Sequence, residues 1–163
     1  MSIRAIILAL IVTQLSLFTP MSFGATGSCR RLFLADGLQA VAEQIHSLKM
    51  GWADSVMRLD LDAVVAKYSS HATLLPTRSN VVRESPERIR AYFIEFLSLG
   101  PKLQFEDESY FHFLGTDHAT ESGYYVFSFA NGLATRARYT FIYEKTEQGW
   151  LILKHSSTPA IQE

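Results

Sequence analysis

The chain has 163 residues, of which 48% are hydrophobic, and its formal net charge at neutral pH is -1. This length and composition suit one domain of ordinary size with a substantial core. Because no basic stripe is present to displace counterions from phosphates, the composition argues against a nucleic-acid partner.

The first 25 residues have the layout of a secretory signal peptide. Arg4 supplies the positive charge, an apolar segment runs from residue 5 to residue 18, and Pro20 breaks it. An uncleaved membrane anchor is the alternative, but the uninterrupted apolar run is shorter than the ~20 residues that span a bilayer. The sequence therefore predicts cleavage, a periplasmic or secreted location, and no stable membrane span afterwards.

Residues 26–35 are predicted to form a mobile N-terminus that contains Cys29. Because Cys29 is the only cysteine, no intramolecular disulfide can form. A cysteine this close to a signal peptide can be lipidated, although residues 26–28 lack the usual aliphatic residue. Both states of Cys29 stay open, and the free thiol is favoured over the lipidated form.

Residues 36–160 are predicted to form one domain that begins with helices. Apolar residues recur at three- and four-residue spacing from residue 36 to residue 59, which predicts an amphipathic helix. Asp60 and Asp62 can cap a second, short helix that reaches Tyr68, and residues 72–75 predict a short strand before a proline.

A third helix is predicted from Ser85 to Leu99. A serine cap, Pro86 in the first turn and Glu87 at the positive end of the helix dipole form a strong start. Alternation of apolar and polar residues then predicts four strands of a meander, at residues 103–114, 120–129, 133–143 and 150–155. Helices followed by an antiparallel sheet predict an α+β fold with helices on one sheet face.

The Asn131-Gly132 pair is the strongest hairpin signal in the chain. A two-residue loop here would place Tyr125 beside Arg138 on one sheet face, which would also carry Arg136. Both faces would then be rich in aromatic residues. We therefore expect one face to cover the helices and a cavity, and the other to be covered by a second copy of the chain.

Two segments carry a family resemblance. The closing strands read Arg138-Tyr-Thr-Phe-Ile-Tyr143 and Trp150-Leu-Ile-Leu-Lys-His155-Ser-Ser-Thr-Pro159, and an earlier segment reads Tyr68-Ser-Ser-His-Ala-Thr-Leu-Leu-Pro-Thr77. They resemble R-Y-T-F-x-Y, W-x-I-x-x-H-H-S-S-x-x-P and Y-x-x-D-A-x-L-L-P-T of bacterial proteins related to the calcium/calmodulin-dependent protein kinase II association domain. Ser156 replaces the second histidine of the family pattern.

The resemblance covers about residues 38–159 and places the chain in the nuclear-transport-factor-2-like (SnoaL-like) superfamily. It implies a strongly curved, mainly antiparallel sheet wrapped around helices, with a conical cavity between them. It also implies that the chain assembles with itself, as a homodimer or a higher oligomer.

Five residues are the candidates for the ligand pocket: Arg90, Arg138, Tyr92, Tyr139 and His155. An arginine beside aromatic rings can bind a carboxylate, phosphate or sulfate. The resemblance of residues 89–93 to the family's H-R-F-Y-F implies that Arg90 is a pocket arginine. Arg138 could equally pack on aromatic rings at a rim or in a subunit interface.

His155 is also the one, weak, catalytic candidate, because an imidazole can act as a base near neutral pH. Hydrogen bonding within the fold is its other role, and no partner acid is evident in the sequence. Asp54, Asp107 and Glu121 are predicted to be solvated surface groups. The five histidines show no ligand-spaced metal motif, and no cofactor fingerprint is present, so we expect neither a metal nor a cofactor.

The sequence thus predicts an exported, self-associating domain that binds a small anionic or amphipathic molecule without catalysis. The alternative is an isomerase- or cyclase-type SnoaL-like enzyme that uses a pocket histidine or carboxylate as its base. Kinase activity is not expected, since the chain lacks a Gly-rich loop, H-R-D and D-F-G.

Overall fold

The computed structural model describes residues 36–77 and 79–161. The predicted signal peptide, the predicted mobile segment at 26–35 and Cys29 lie outside the described residues. In chain order the elements are α1 (Asp36–Met57), α2 (Leu61–Val65), β1 (Tyr68–Leu75), α3 (Pro86–Ser98), β2 (Lys102–Phe113), β3 (His118–Ser128), β4 (Ala134–Thr146) and β5 (Gly149–Pro159). Among the described helices, none is long and apolar enough to cross a membrane.

The five strands form one sheet in the order β1-β5-β4-β3-β2. Strand β1 runs parallel to β5, and the other neighbours are antiparallel. All three helices precede the meander, and α1 and α3 pack on the sheet. This architecture confirms the predicted α+β class, with helices on a mainly antiparallel sheet.

The two capped helices begin where their sequences predict. Asp60 Oδ1 accepts a 3.0 Å hydrogen bond from the backbone N–H of Ala63 at the start of α2. Ser85 Oγ accepts a 3.3 Å hydrogen bond from the N–H of Arg88 at the start of α3. Hydrogen bonds from the backbone and from Ser85 lower the pKa of Glu87, an exposed carboxylate in the first turn.

Two predicted boundaries were wrong, and both concern the strands that build the cavity. Tyr68 does not end the second helix but begins β1, where it pairs with Ile152. Strand β5 does not stop at His155 but continues through the polar residues 156–158, which pair with β4. In both cases the pairing partner in the sheet decides the conformation against the local sequence signal.

The predicted register of the β3–β4 hairpin was wrong by one residue. The loop has three residues, because the N–H of Phe129 donates to the carbonyl of Leu133 over 2.9 Å and Gly132 adopts a φ of 81°. Tyr125 therefore lies opposite Ala137, and not beside Arg138. A slip of one residue exchanges the faces of one strand relative to the other.

This register places most aromatic side chains of both strands on the concave face, toward the helices. Strands β3 and β4 bury their rings there, and the buried aromatic residues of the two strands are Tyr125, Phe127, Tyr139, Phe141 and Tyr143. The outer face of β4 carries Arg136 and Arg138, both exposed. The prediction of two aromatic-rich faces was therefore wrong.

A β-bulge at Leu153 in β5 determines which side chains of the closing strand face inward. Ile152 pairs with Tyr143, whereas Lys154 pairs with Ile142, so Leu153 is the extra residue. Without the bulge, strict alternation from Ile152 would place His155 on the outer face. With it, Ile152 and His155 are both buried on the concave side.

Candidate functional site

A cavity of about 250 Å³ lies between α3, β1 and the concave face of the sheet. Its walls are mainly aromatic, contributed by Trp52 of α1, by three residues of α3 and by three of β3 and the turn after it: Tyr92, Phe93, Phe96, Tyr125, Phe127 and Phe129. Leu99 and Leu133 also line it and are half exposed, so apolar side chains reach solvent at this site.

A row of polar side chains forms one wall of this mainly apolar cavity. His155, Ser157 and Thr77 line it together with the Tyr125 hydroxyl. The Tyr125 hydroxyl donates to Ser157 Oγ over 2.6 Å, and Ser157 Oγ is hydrogen-bonded in turn to Thr77 Oγ1. Tyr125 Oη also lies 3.4 Å from His155 Nε2.

At the far end of this row, the Tyr68 hydroxyl is hydrogen-bonded to the imidazole of His155. His155 Nδ1 lies 2.9 Å from Tyr68 Oη, and only 4% of the histidine is exposed. The imidazole also lies edge-on to the ring of Trp52, with the ring centroids 5.2 Å apart. We call Tyr68, His155, Tyr125, Ser157 and Thr77 the hydroxyl row, because four of its five members contribute hydroxyl groups.

Burial keeps the hydroxyl row neutral. It lowers the pKa of His155 from 6.5 to about 3, because the imidazolium would lose its hydration. Burial likewise raises the pKa of Tyr125 to about 12 and that of Tyr68 well above its ordinary value. The cavity wall therefore offers uncharged donors and acceptors at neutral pH.

A second buried polar cluster lies on the concave face, outside the lining of the cavity. Lys49 of α1 forms an ion pair with Glu121 of β3, and the two residues are 5% and 4% exposed. Lys49 Nζ lies 3.4 Å from Tyr139 Oη and 4.8 Å from the centroid of the Phe105 ring. The Tyr143 hydroxyl donates to Glu121 Oε2 over 3.3 Å. We call Lys49, Glu121, Tyr139 and Tyr143 the ion-pair cluster.

Each buried titratable group is thus limited in what chemistry it can perform. The lowered pKa of His155 makes its imidazole a weak base at neutral pH. Glu121 is held by Lys49 and Tyr143, and its burial contradicts the prediction that it is a solvated surface group. Within residues 36–77 and 79–161, no group of three His, Cys, Asp or Glu side chains could hold a metal ion.

The structure separates the five predicted pocket residues. Tyr92 and His155 line the cavity. Tyr139 belongs to the ion-pair cluster and stacks on Tyr125, with ring centroids 5.2 Å apart. Arg90 Nη1 lies 2.7 Å from Asp62 Oδ1, and the Arg90 side chain is 45% exposed, outside the cavity lining. Arg138 lies on the outer sheet face.

The sequence reasoning missed several of the residues that matter most at both clusters. Lys49 lies between Ile45 and Trp52 in the apolar stripe of α1, so its helical position could have indicated a buried cation. Thr77 and Ser157 come together only because β1 is parallel to β5, and this pairing leaves no local sequence signal.

Arg83 is a cation near the cavity that the sequence did not single out. Its guanidinium carbon lies 5.7 Å from the centroid of the Tyr92 ring, and its Nη1 donates to the carbonyl of Val81 over 2.6 Å.

Ser156, which replaces a family histidine, lies opposite Thr140 on the outer face. The departure from the family pattern therefore leaves the cavity wall unchanged.

Comparisons with known proteins agree with this architecture. A family model described as calcium/calmodulin dependent protein kinase II association domain matches residues 41–160. A solved structure given the same description, from Xanthomonas campestris, is 34% identical and covers 75% of this chain and 89% of its own, with a TM-score of 0.69. No curated protein sequence matches the chain.

More distant solved structures share the fold. An NTF2-like protein with a cystatin-like fold from Novosphingobium aromaticivorans is 13% identical, covers 78% of this chain and 86% of its own, and has a TM-score of 0.66. An NTF2-like protein from Streptomyces avermitilis, provisionally named a dehydratase, is 11% identical, covers 76% and 99%, and has a TM-score of 0.65. At these identities the likeness concerns the fold alone.

Proposed function

Because the chain belongs to the calcium/calmodulin dependent protein kinase II association domain family, we propose that it is an exported module that associates with itself and binds a small amphipathic molecule without converting it. Export is supported by the signal-like first 25 residues, and self-association by the family's description as an association domain. The ligand proposal depends on the cavity.

The observation that carries the ligand proposal is a row of hydroxyl groups set into an aromatic cavity. Small-molecule sites are typically apolar clefts with a few convergent polar groups that fix the ligand's orientation. A volume of about 250 Å³ suits a molecule with one aromatic ring and a short polar substituent. Arg90 and Arg138, which were candidates to hold an anion, lie outside the cavity lining, so the proposal narrows to an amphipathic ligand.

The absence of turnover is supported by the state of the buried titratable groups. A general base works best when its pKa lies near the operating pH. The pKa of His155 is about 3, and Glu121 is already paired with Lys49. Neither group of the described residues therefore meets the usual requirement for the isomerase- or cyclase-type alternative.

The first experiment measures binding of acetophenone to the mature protein by chemical-shift titration of ¹⁵N-labelled protein. Thr135 lines the cavity, whereas its neighbour Ala134 is exposed on the outer face, so the pair offers a matched control. We expect Thr135→Trp to abolish saturable binding and Ala134→Trp to retain it, with thermal melts to confirm that both fold. Equal binding by both variants would locate the site elsewhere.

The second experiment is native mass spectrometry of the mature protein purified from its own host. It reports subunit number, the processed N-terminus and any co-purifying molecule together. An oligomer that has lost about 25 residues and carries a small molecule supports the proposal. A strictly monomeric, unprocessed chain contradicts it, and chemical conversion of the co-purified molecule by fresh protein would favour the enzyme alternative.

A further inference from the structure

We propose that Arg83 binds the anionic end of the ligand at the edge of the cavity, so that the molecule accepted there is a small aromatic carboxylate. This role of Arg83 rests on the proposed binding function and specifies the chemical class of the ligand.

The backbone holds Arg83 beside a residue of the cavity lining. Its N–H donates to the carbonyl of Leu74 over 2.9 Å, and its carbonyl accepts from the N–H of Leu74 over 2.8 Å. The two residues form an antiparallel bridge, and side chains directly opposite in such a pair lie on the same face. Leu74 is 1% exposed and lines the cavity. The Arg83 side chain therefore starts from the concave side of β1, next to the cavity.

The guanidinium of Arg83 contacts two residues that line the cavity. Its carbon lies 5.7 Å from the centroid of the Tyr92 ring, and Nη2 lies 3.4 Å from Ser79 Oγ. Tyr92 and Ser79 both belong to the lining, so Arg83 lies at the edge of the cavity that these two side chains form. Arg90, by contrast, is bonded to Asp62, and neither of these residues lines the cavity.

The Arg83 guanidinium has N–H donors and a positive charge left for a ligand. It carries five N–H groups, and within residues 36–77 and 79–161 its acceptors are the carbonyl of Val81 and Ser79 Oγ. Arg83 is half buried and forms no ion pair with a described carboxylate, whereas four other described arginines do: Arg58, Arg88, Arg90 and Arg136. Because a partly buried charge without a counter-charge is costly, an anion bound here would be stabilised.

The charges around the cavity favour a ligand with a single negative charge. Tyr92 does not neutralise Arg83 as a phenolate, because burial raises the pKa of its hydroxyl against the opposing effect of Arg83. The described lining contains no charged side chain, since His155 is neutral. Arg83 thus matches one negative charge, and its planar fork of donors fits the two oxygens of a carboxylate. The aromatic walls would cover the ring of such a ligand.

The test compares benzoate with acetophenone, which have the same ring and differ by an anionic oxygen in place of a methyl group. Affinities are measured by ¹⁵N chemical-shift titration at neutral pH for the mature protein and for Arg83→Met. We expect benzoate to bind the wild type more tightly than acetophenone, and the benzoate-to-acetophenone affinity ratio to fall about tenfold in R83M. Comparing ratios cancels the loss of packing that the substitution causes for both ligands.

Arg90→Met is the matched control, and thermal melts confirm that both variants fold. Because Arg90 is already bonded to Asp62 outside the lining, R90M should keep the affinity ratio within about twofold of the wild type.

Salt dependence gives a second measurement that needs no variant. Raising the ionic strength from about 0.01 M to about 0.1 M shortens the screening length from about 30 Å to about 10 Å. Benzoate should then bind about two- to threefold more weakly, and acetophenone about equally.

Three results would overturn the role of Arg83 and leave the binding function standing, provided that acetophenone binds. They are an affinity ratio unchanged in R83M, benzoate that binds the wild type no more tightly than acetophenone, and an equal salt response of the two ligands. Binding of neither ligand to the wild type overturns both proposals.

Discussion

The concave face buries two polar clusters, and each compensates the lost hydration of its polar groups in a different way. The ion-pair cluster uses opposite charges, and Lys49 and Glu121 satisfy one another beneath α1. The hydroxyl row uses neutral groups, and burial holds His155 uncharged. In the ion-pair cluster, Lys49 Nζ lies over the rings of Phe105 and Tyr139, whereas the hydroxyl row forms the wall of a cavity.

Because one cluster is charged and the other neutral, the two suit different roles, one in folding stability and the other in ligand binding. A buried charge needs its partner at all times, because an unpaired ion in a low-dielectric interior is very costly. A neutral hydroxyl can exchange partners at a smaller cost, so it can serve a ligand that comes and goes. We therefore expect changes in the ion-pair cluster to cause the larger losses of folding stability, and changes in the hydroxyl row to cause smaller losses together with effects on binding and on pH response.

The largest expected effect is the removal of one partner of the ion pair. Lys49→Ala leaves Glu121 buried without its counter-charge, and we expect a loss of about 3–5 kcal/mol in the free energy of unfolding. Urea denaturation measures it. The double variant Lys49→Met, Glu121→Leu is the control, and it should recover most of the loss. A double variant as unstable as K49A would show that the pair is net stabilising.

Acidification should act on the hydroxyl row through His155. The pKa of this residue is about 3 in the folded protein against 6.5 ordinarily. Between these pH values the unfolded chain is protonated at His155 and the folded chain is not. The contribution of His155 to the free energy of unfolding is fully present above pH 6.5. It falls by roughly 3–5 kcal/mol as the pH is lowered toward 3. His155→Gln, which does not titrate, should show a shallower slope in denaturation at several pH values.

Tyr68→Phe should have an intermediate effect on stability. It removes the hydroxyl group that lies 2.9 Å from His155 Nδ1 and leaves the imidazole nitrogen buried without a partner. We expect a loss of about 1–2 kcal/mol, measured by thermal or urea unfolding. Tyr110→Phe is the matched control, since Tyr110 is 60% exposed and should tolerate the change. Equal stability of all three proteins would mean that solvent satisfies His155.

The smallest effects are expected at the two arginines that lie outside both clusters. Arg90 is bonded to Asp62, and Arg138 lies on the outer sheet face. Arg90→Ala and Arg138→Ala should change stability by less than about 0.5 kcal/mol and leave acetophenone affinity within about twofold. A large loss of affinity in either variant would show that the cavity is not the site at which acetophenone binds.

The sequence predicted the elements of this fold far better than it predicted their faces. Helix caps at Asp60 and Ser85 are local signals, and both hold in the structure. Face assignment depends on counting residues through a turn, and one extra residue at Ala130–Gly132 reversed it for β4 relative to β3. The error placed Arg138 beside Tyr125, whereas in the structure Arg138 lies on the opposite face of the sheet.

Two of the predicted pocket residues line the cavity: Tyr92, and His155 at the polar end of the closing strand. Tyr92 follows from the apolar face of α3, and it lines the cavity. The contact between Thr77 and Ser157 depends on a parallel pairing of β1 with β5, across nearly the whole domain. Partners that are distant in sequence leave no local pattern, so the hydroxyl row appears only in the folded chain.

The bulge at Leu153 also defines what a single deletion would do to this protein. Removing Leu153 would place Lys154 directly after Ile152, and these two residues already pair with the adjacent residues Ile142 and Tyr143 of β4. Strict alternation would then keep His155 and Ser157 on the concave side without a bulge. The lining of the cavity should therefore survive the loss of one codon at this point of the chain.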